Sequence, residues 1–175
     1  VNDDKLQHLP PAPTAPYHMI LKLDDVSDAV VHNHIPLDPI GVGHLDFALY
    51  KDVVQTRVEQ GQAVDYVIRL RNTGIVPDHY DVLDDLPAGF RFEGDAAFSI
   101  QPADPSAERV AFVPSHPPTS NGRRIAFARF DLQPDETMYI EFRTRVGPAV
   151  QPGKHTNTTT ATSSEATKTA QATVF

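Results

Sequence analysis

Apolar side chains recur at every second position through most of this chain, and that period commits it to strands rather than helices. Val64, Tyr66, Ile68 and Leu70 alternate with Asp65, Val67, Arg69 and Arg71, and Met138, Ile140 and Phe142 alternate with Tyr139, Glu141, Arg143 and Arg145. Leu45, Phe47 and Leu49 follow the same rule, as do Tyr80 and Val82. Successive side chains of a strand point to opposite sides, so each run has one face for a core and one for water. Turn signals separate the runs: Gly61, Asn72-Thr73-Gly74, Leu86-Pro87-Ala88-Gly89 and Gln133-Pro134-Asp135-Glu136. No stretch shows the 3.6-residue recurrence of an amphipathic helix. The 16 prolines, crowded at the N-terminus and in one mid-chain loop, would break helices there. Seven or more short strands with regular turns predict an all-β fold, an antiparallel immunoglobulin-like β-sandwich of Greek-key type, over residues 44–175.

Within that domain Ile125 to Phe130 reads as one strand. The stretch from Glu93 to Arg124 reads as a short strand at Ala111-Phe112-Val113 followed by a long exposed loop from Pro114. The tail, His155 to Phe175, reads as a Thr/Ala hairpin bending near Ser163-Ser164-Glu165.

Residues 1–43 differ in character and read as a proline-rich extended arm and linker. Leu9-Pro10-Pro11-Ala12-Pro13-Thr14-Ala15-Pro16 favours polyproline conformation. The next segment, residues 17–23, alternates well enough to be a strand, and Tyr17, Met19, Leu21 and Leu23 would fall on one side of it. An extended peptide of this kind can complete the open edge of another sheet, so 17–23 is a candidate donor strand. A head-to-tail contact of that type does not close on itself and generates filaments, which makes copies of the same chain the expected partner.

Charge and composition exclude several functions. The net charge is −8 and no cluster of Lys and Arg occurs, so neither nucleic acid nor an anionic membrane surface is an expected partner. No apolar run approaches the roughly 20 residues needed for membrane insertion as a helix. With no cysteine there is neither a disulfide framework nor a thiolate metal site. Opening at Val1, the sequence reads as a processed or trimmed chain. No nucleophile elbow, zinc-protease motif, phosphate loop or dinucleotide fingerprint is present, so the chain is expected not to be an enzyme and to need no cofactor. His32 and His34, with His8, His18 and His44 nearby, read as surface histidines rather than a metal site, and Asp24, Asp25 and Asp28 as a solvated acidic turn. Asp84 and Asp85 are adjacent on a strand, face opposite sides, and cannot share a substrate.

The ordered series Leu49-Tyr50-Lys51-Asp52-Val53, Gly61 to Gly74, Val82 to Phe90, Leu132-Gln133-Pro134-Asp135-Glu136 and Asn157-Thr158-Thr159-Thr160-Ala161-Thr162 resembles the conserved immunoglobulin-like repeat of bacterial and archaeal surface proteins. The most specific piece is the Asp84-Asp85-Leu86-Pro87-Ala88-Gly89 turn that follows the Asn72-Thr73-Gly74 strand end. The resemblance covers residues 44–175; the Glu93 to Arg124 stretch is longer than the pattern and the arm has no counterpart in it. It implies a β-sandwich at the cell surface or outside the cell, with a structural or adhesive role.

Alternation puts Lys51 on the side of Leu45, Phe47 and Leu49, and Asp84 on the side of Tyr80 and Val82. Both therefore point to the core, where an unpaired charge costs several kcal/mol. Asn157 stands where the repeat pattern has its Asn. Related surface domains form intramolecular isopeptide bonds, and the resemblance implies one between Lys51 and Asn157 assisted by Asp84, clamping the first and last strands. Burial favours a neutral, nucleophilic amine and a neutral acid able to polarise the amide. The other outcome is a buried ion pair beside a hydrogen-bonded Asn. The function expected from all this is a subunit of a surface fibre, filament or layer, joined through its arm. The alternatives are an adhesin or carbohydrate-binding module using the Glu93–Arg124 stretch, and a spacer repeat of a larger surface protein.

Overall fold

The computed structural model describes residues 45–175 and, before them, the backbone of two short strands, β1 (Leu6–His8) and β2 (Met19–Leu21). The chain divides into two units at Pro39 and Ile40, where sequence composition suggested a boundary after Gly43. In the first unit β1 and β2 pair antiparallel, His8 opposite Met19 and Leu6 opposite Leu21.

The second unit is an immunoglobulin-like sandwich of two antiparallel sheets, and among the described residues there is no helix. One sheet runs in the order β3 (Phe47–Val53), β4 (Ala63–Asn72), β11 (Thr137–Val146), β6 (Phe90–Gln101) and β7 (Val110–Ala111). The other runs in the order β13 (Thr167–Val174), β12 (His155–Thr162), β5 (Asp78–Asp85), β9 (Arg124–Ala126) and β8 (Thr119–Asn121), with β10 (Phe130–Leu132) also on β5. The chain crosses between sheets after β4, β5, β7, β10 and β11, so strands adjacent in sequence are often in different layers.

The alternating residues of the sequence form the interlayer. Val64, Tyr66, Ile68 and Leu70 of β4 and Met138, Ile140 and Phe142 of β11 are all buried, facing Tyr80, Val82, Ile125 and Leu132. Each such side chain contributes about 1.5–3 kcal/mol of apolar burial, which is why a period of two decides the fold. At the β5–β6 turn Gly89 has φ +84, and a Cβ there would lie 2.5 Å from Val150 Cγ2, so the final Gly of the Asp-x-Leu-Pro-x-Gly turn is required by both backbone and space. One pair of sheet edges is brought together: Phe175 N donates to Thr56 O at 2.9 Å and Val58 N to Phe175 O at 2.9 Å.

Two expectations need correction. The stretch after Pro114 is not one long loop, because Thr119–Asn121 and Arg124–Ala126 form a hairpin around Gly122 and Arg123. Ile125 to Phe130 is not one strand either. β9 and β10 both pair with β5 but are separated by Phe127–Arg129, which allows Ile125, Phe127, Phe130 and Leu132 all to face the core. Strict alternation would have turned Phe130 to water, and the irregularity restores its burial.

Candidate functional site

The unusual chemistry of this sandwich lies in its centre. β3 turns Lys51 inward in phase with Phe47, and its side chain is fully buried. β5, from the facing sheet, turns Asp84 inward in phase with Tyr80 and Val82, also fully buried. On β12, Thr159 stands directly across the ladder from Asp84, and Asn157, two residues earlier, shares its inward face. Four polar side chains from three strands thus occupy the space between the sheets.

Lys51 Nζ donates a hydrogen bond to Asp84 Oδ2 and another, of 2.8 Å, to Thr159 Oγ1. Thr159 Oγ1 donates in turn to Asp84 Oδ2 at 2.5 Å. The ammonium nitrogen sits 4.9 Å from the Tyr66 ring centre and 5.0 Å from that of Phe142, and these rings stack on each other at 5.5 Å. Burial pushes the Lys51 pKa down to about 8; the charge and hydrogen bond of Asp84 pull it back only in part.

The other half of the site is unpaired. Asp84 Oδ1, both polar atoms of the Asn157 side chain and the Tyr66 hydroxyl are buried without a hydrogen-bond partner. Tyr66 neighbours Asp84 and Asn157: burial pushes its pKa up, the charge of Asp84 pushes it further, and the Asn157 amide draws it back. That last contact is proximity rather than a formed bond, since neither group has a partner of hydrogen-bond geometry. Native interiors pair nearly all such groups, and an orphan costs roughly 1–3 kcal/mol. The arrangement is therefore an amine of weakened basicity, a carboxyl group and an amide without a protein partner, buried together between the sheets.

Thr159 is the member that sequence does not single out. It lies between Thr158 and Thr160, identical in type, and only its inward phase with Asn157 and Ala161 sets it apart. Asn157 itself sits on β12, the penultimate strand, so a Lys51–Asn157 link would join the first strand of the sandwich to the penultimate one rather than to the last.

The remaining candidates fall elsewhere. Met19 and Leu21 belong to β2, while Tyr17 and Leu23 lie outside the described residues, as do His18, His32, His34, His44 and the Asp24, Asp25 and Asp28 group. Among the described residues no group of three or more His, Asp or Glu is placed to hold a metal ion. Asp85 faces outward and accepts two hydrogen bonds from Arg124, on the opposite side of the sheet from Asp84. Phe98 and Phe112, the aromatics of the long stretch, pack edge-on against each other, and Phe112 packs edge-on against Phe130 as well, so they belong to the core rather than to a binding face.

No family model matches this sequence, and no curated protein matches it. Solved structures match the sandwich. The pilus backbone RrgB of Streptococcus pneumoniae aligns with a TM-score of 0.52 at 14% identity, over 67% of this chain and 31% of that one. BcpA, the major pilin subunit of Bacillus cereus, aligns with 0.54 at 11% identity, over 74% and 40%. The N-terminal domain of the Streptococcus gordonii adhesin Sgo0707 aligns with 0.54 at 11% identity, over 72% and 31%. The chain spans less than half the length of each of these proteins, and what it shares with them is the fold.

Proposed function

We propose that this chain is a non-enzymatic structural module of the cell surface, stiffened by an isopeptide bond between Lys51 and Asn157 and assembled into a fibre or layer through its N-terminal arm. The observation that carries the reading is the buried Lys51–Asp84 pair beside an Asn157 amide with no hydrogen bond. The pilus and adhesin folds it resembles support the same reading. The chemistry balances within the site. Lys51 passes a proton to Asp84, which carries it on Oδ1, the oxygen without a partner. The freed Nζ lone pair attacks Asn157 Cγ, and the Oδ1 hydroxyl, donating to the amide oxygen, stabilises the tetrahedral centre. The Cγ–Nδ2 bond then breaks, Nδ2 takes the one proton that Nζ sheds, and ammonia departs, leaving Asp84 protonated. The product amide joins β3 to β12 and lets Asp84 and the former Asn157 oxygen satisfy each other.

Intact mass of the denatured chain tests this directly. A mass short by one ammonia is expected, abolished by Asn157→Ala; a mass equal to the sequence value overturns the bond.

The arm would act by strand addition, with Tyr17, Met19, Leu21 and Leu23 as the alternate side chains. The contact of Phe175 with Thr56 and Val58 closes the β3–β13 side, leaving β7 and β8 as the edges a donor could reach. Light scattering of the full chain and of a version lacking residues 1–43 is the test. Polymers from the first and monomers from the second are expected. Monomers from both would leave the sandwich as a spacer within a longer surface protein, a reading favoured by the small share of its structural neighbours that it covers.

A further inference from the structure

Thr159 stands in the reaction site without a role in the bond changes just described. Resting on the cross-link reading, we infer that Thr159 is a positioning residue of the cross-linking reaction: its hydroxyl locks the Asp84 carboxyl in one rotation, so that one oxygen holds the Lys51 amine and the other is kept for the Asn157 amide.

The hydrogen bonds divide the carboxyl in this way. Oδ2 receives both available donors, Lys51 Nζ and Thr159 Oγ1 at 2.5 Å, while Oδ1 is buried and receives none. Thr159 also accepts from Lys51 Nζ at 2.8 Å, so the amine is held from two sides. A carboxyl held by lysine alone could turn about its Cβ–Cγ bond, exchange its oxygens, and carry the amine with it. With Thr159 present, such a turn breaks a bond that no other side chain replaces. The hydroxyl is itself well fixed. Direct pairing of Thr159 with Asp84 across the β12–β5 ladder sets the two Cβ atoms at the close spacing of cross-strand neighbours, and the β-branched side chain has few rotamers. Thr158 and Thr160 point to the other face and cannot substitute.

Attack on an amide needs the amine aligned with the carbonyl carbon and the acid with its oxygen, and displacement by about 1 Å costs on the order of 10²-fold in rate. The full chain should therefore be made by cell-free synthesis as wild type, Thr159→Val and Thr159→Ser, sampled with time, acid-quenched and weighed intact. Ammonia loss in Thr159→Val should be on the order of 10²-fold slower than in wild type, with Thr159→Ser restoring most of the rate. Thermal midpoints in an Asn157→Ala background, where no bond forms, separate this from a structural cost, since positioning slows the reaction beyond any loss of stability. If valine prevents folding, Thr159→Ala removes the hydroxyl without adding a methyl group in its place. A hydroxyl-free variant that matures at the wild-type rate overturns the inference alone, as does a serine variant as slow as valine. A wild-type chain that never loses ammonia overturns the cross-link, and this inference with it.

Discussion

Two asparagines are fully buried in this sandwich, and they are treated in opposite ways. Asn72, at the end of β4, donates to Val76 O at 2.9 Å and Leu132 O at 3.0 Å and accepts from Gly74 N at 2.8 Å. It spends its amide on the backbone of a turn and a neighbouring strand, which is what buried amides are ordinarily kept for. Asn157, between the sheets, makes no side-chain hydrogen bond at all, and the polar atoms near it that could have served are unpaired too. A chain that satisfies one buried amide three times over and leaves the other bare is using them differently. The first holds the fold; the second is the one that our proposal assigns to the cross-link.

Asn157→Ala should show the largest change. If the proposed cross-link forms, this variant loses it, and with it the restraint of a loop of roughly 100 residues, worth about 4–5 kcal/mol in chemical denaturation. An unchanged denaturation midpoint would make Asn157 as inert as its neighbours. The pH dependence sharpens the contrast. In Asn157→Ala, Lys51 stays an amine whose pKa is pushed down to about 8 in the folded state, against 10.5 when unfolded. Between these values the unfolded chain binds more protons, so stability rises with pH, by on the order of 3 kcal/mol across the window. In a wild type cross-linked as proposed, that nitrogen would be an amide in both states and the rise would be missing. Urea titrations of both proteins from pH 7 to 11 would reveal it, and equal slopes would contradict the cross-link. Asn72→Ala should cost about 2–3 kcal/mol by orphaning backbone groups at the strand end, while leaving ammonia loss intact. Mass spectrometry that showed slower ammonia loss in this variant would break the division of labour. Tyr66→Phe should change least, about 1 kcal/mol or less in thermal unfolding, because the hydroxyl it removes has no partner.

How far the sequence revealed this depends on which rule governed each residue. Lys51 and Asp84 can be placed inward by parity alone, since β3 and β5 keep strict alternation and a charge in phase with Phe47 or Val82 has nowhere else to go. Parity says nothing of which inward residues meet, because that depends on how the sheets overlay. The Thr159 contact is invisible for the same reason: it needs the β12–β5 register, and threonine in a strand is explained well enough by propensity. The misread stretch failed differently. Phe127 and Phe130 are three apart, and counting by two puts one of them in water; only the burial available beside β5 settles that both turn in. The hairpin at Gly122 carries no alternation to find, since Thr119, Ser120 and Asn121 are all exposed.

Lys51 lies on the first strand of the sandwich and Asn157 on the hairpin that ends it. If the proposed amide forms and neighbours in a fibre pulled on the chain ahead of β3 and beyond β13, tension would enter along β3, cross at that amide and leave through the hairpin. Residues 52–156 would then hang outside the line of force, and the module would transmit load without lengthening by the stretch of chain that its core contains.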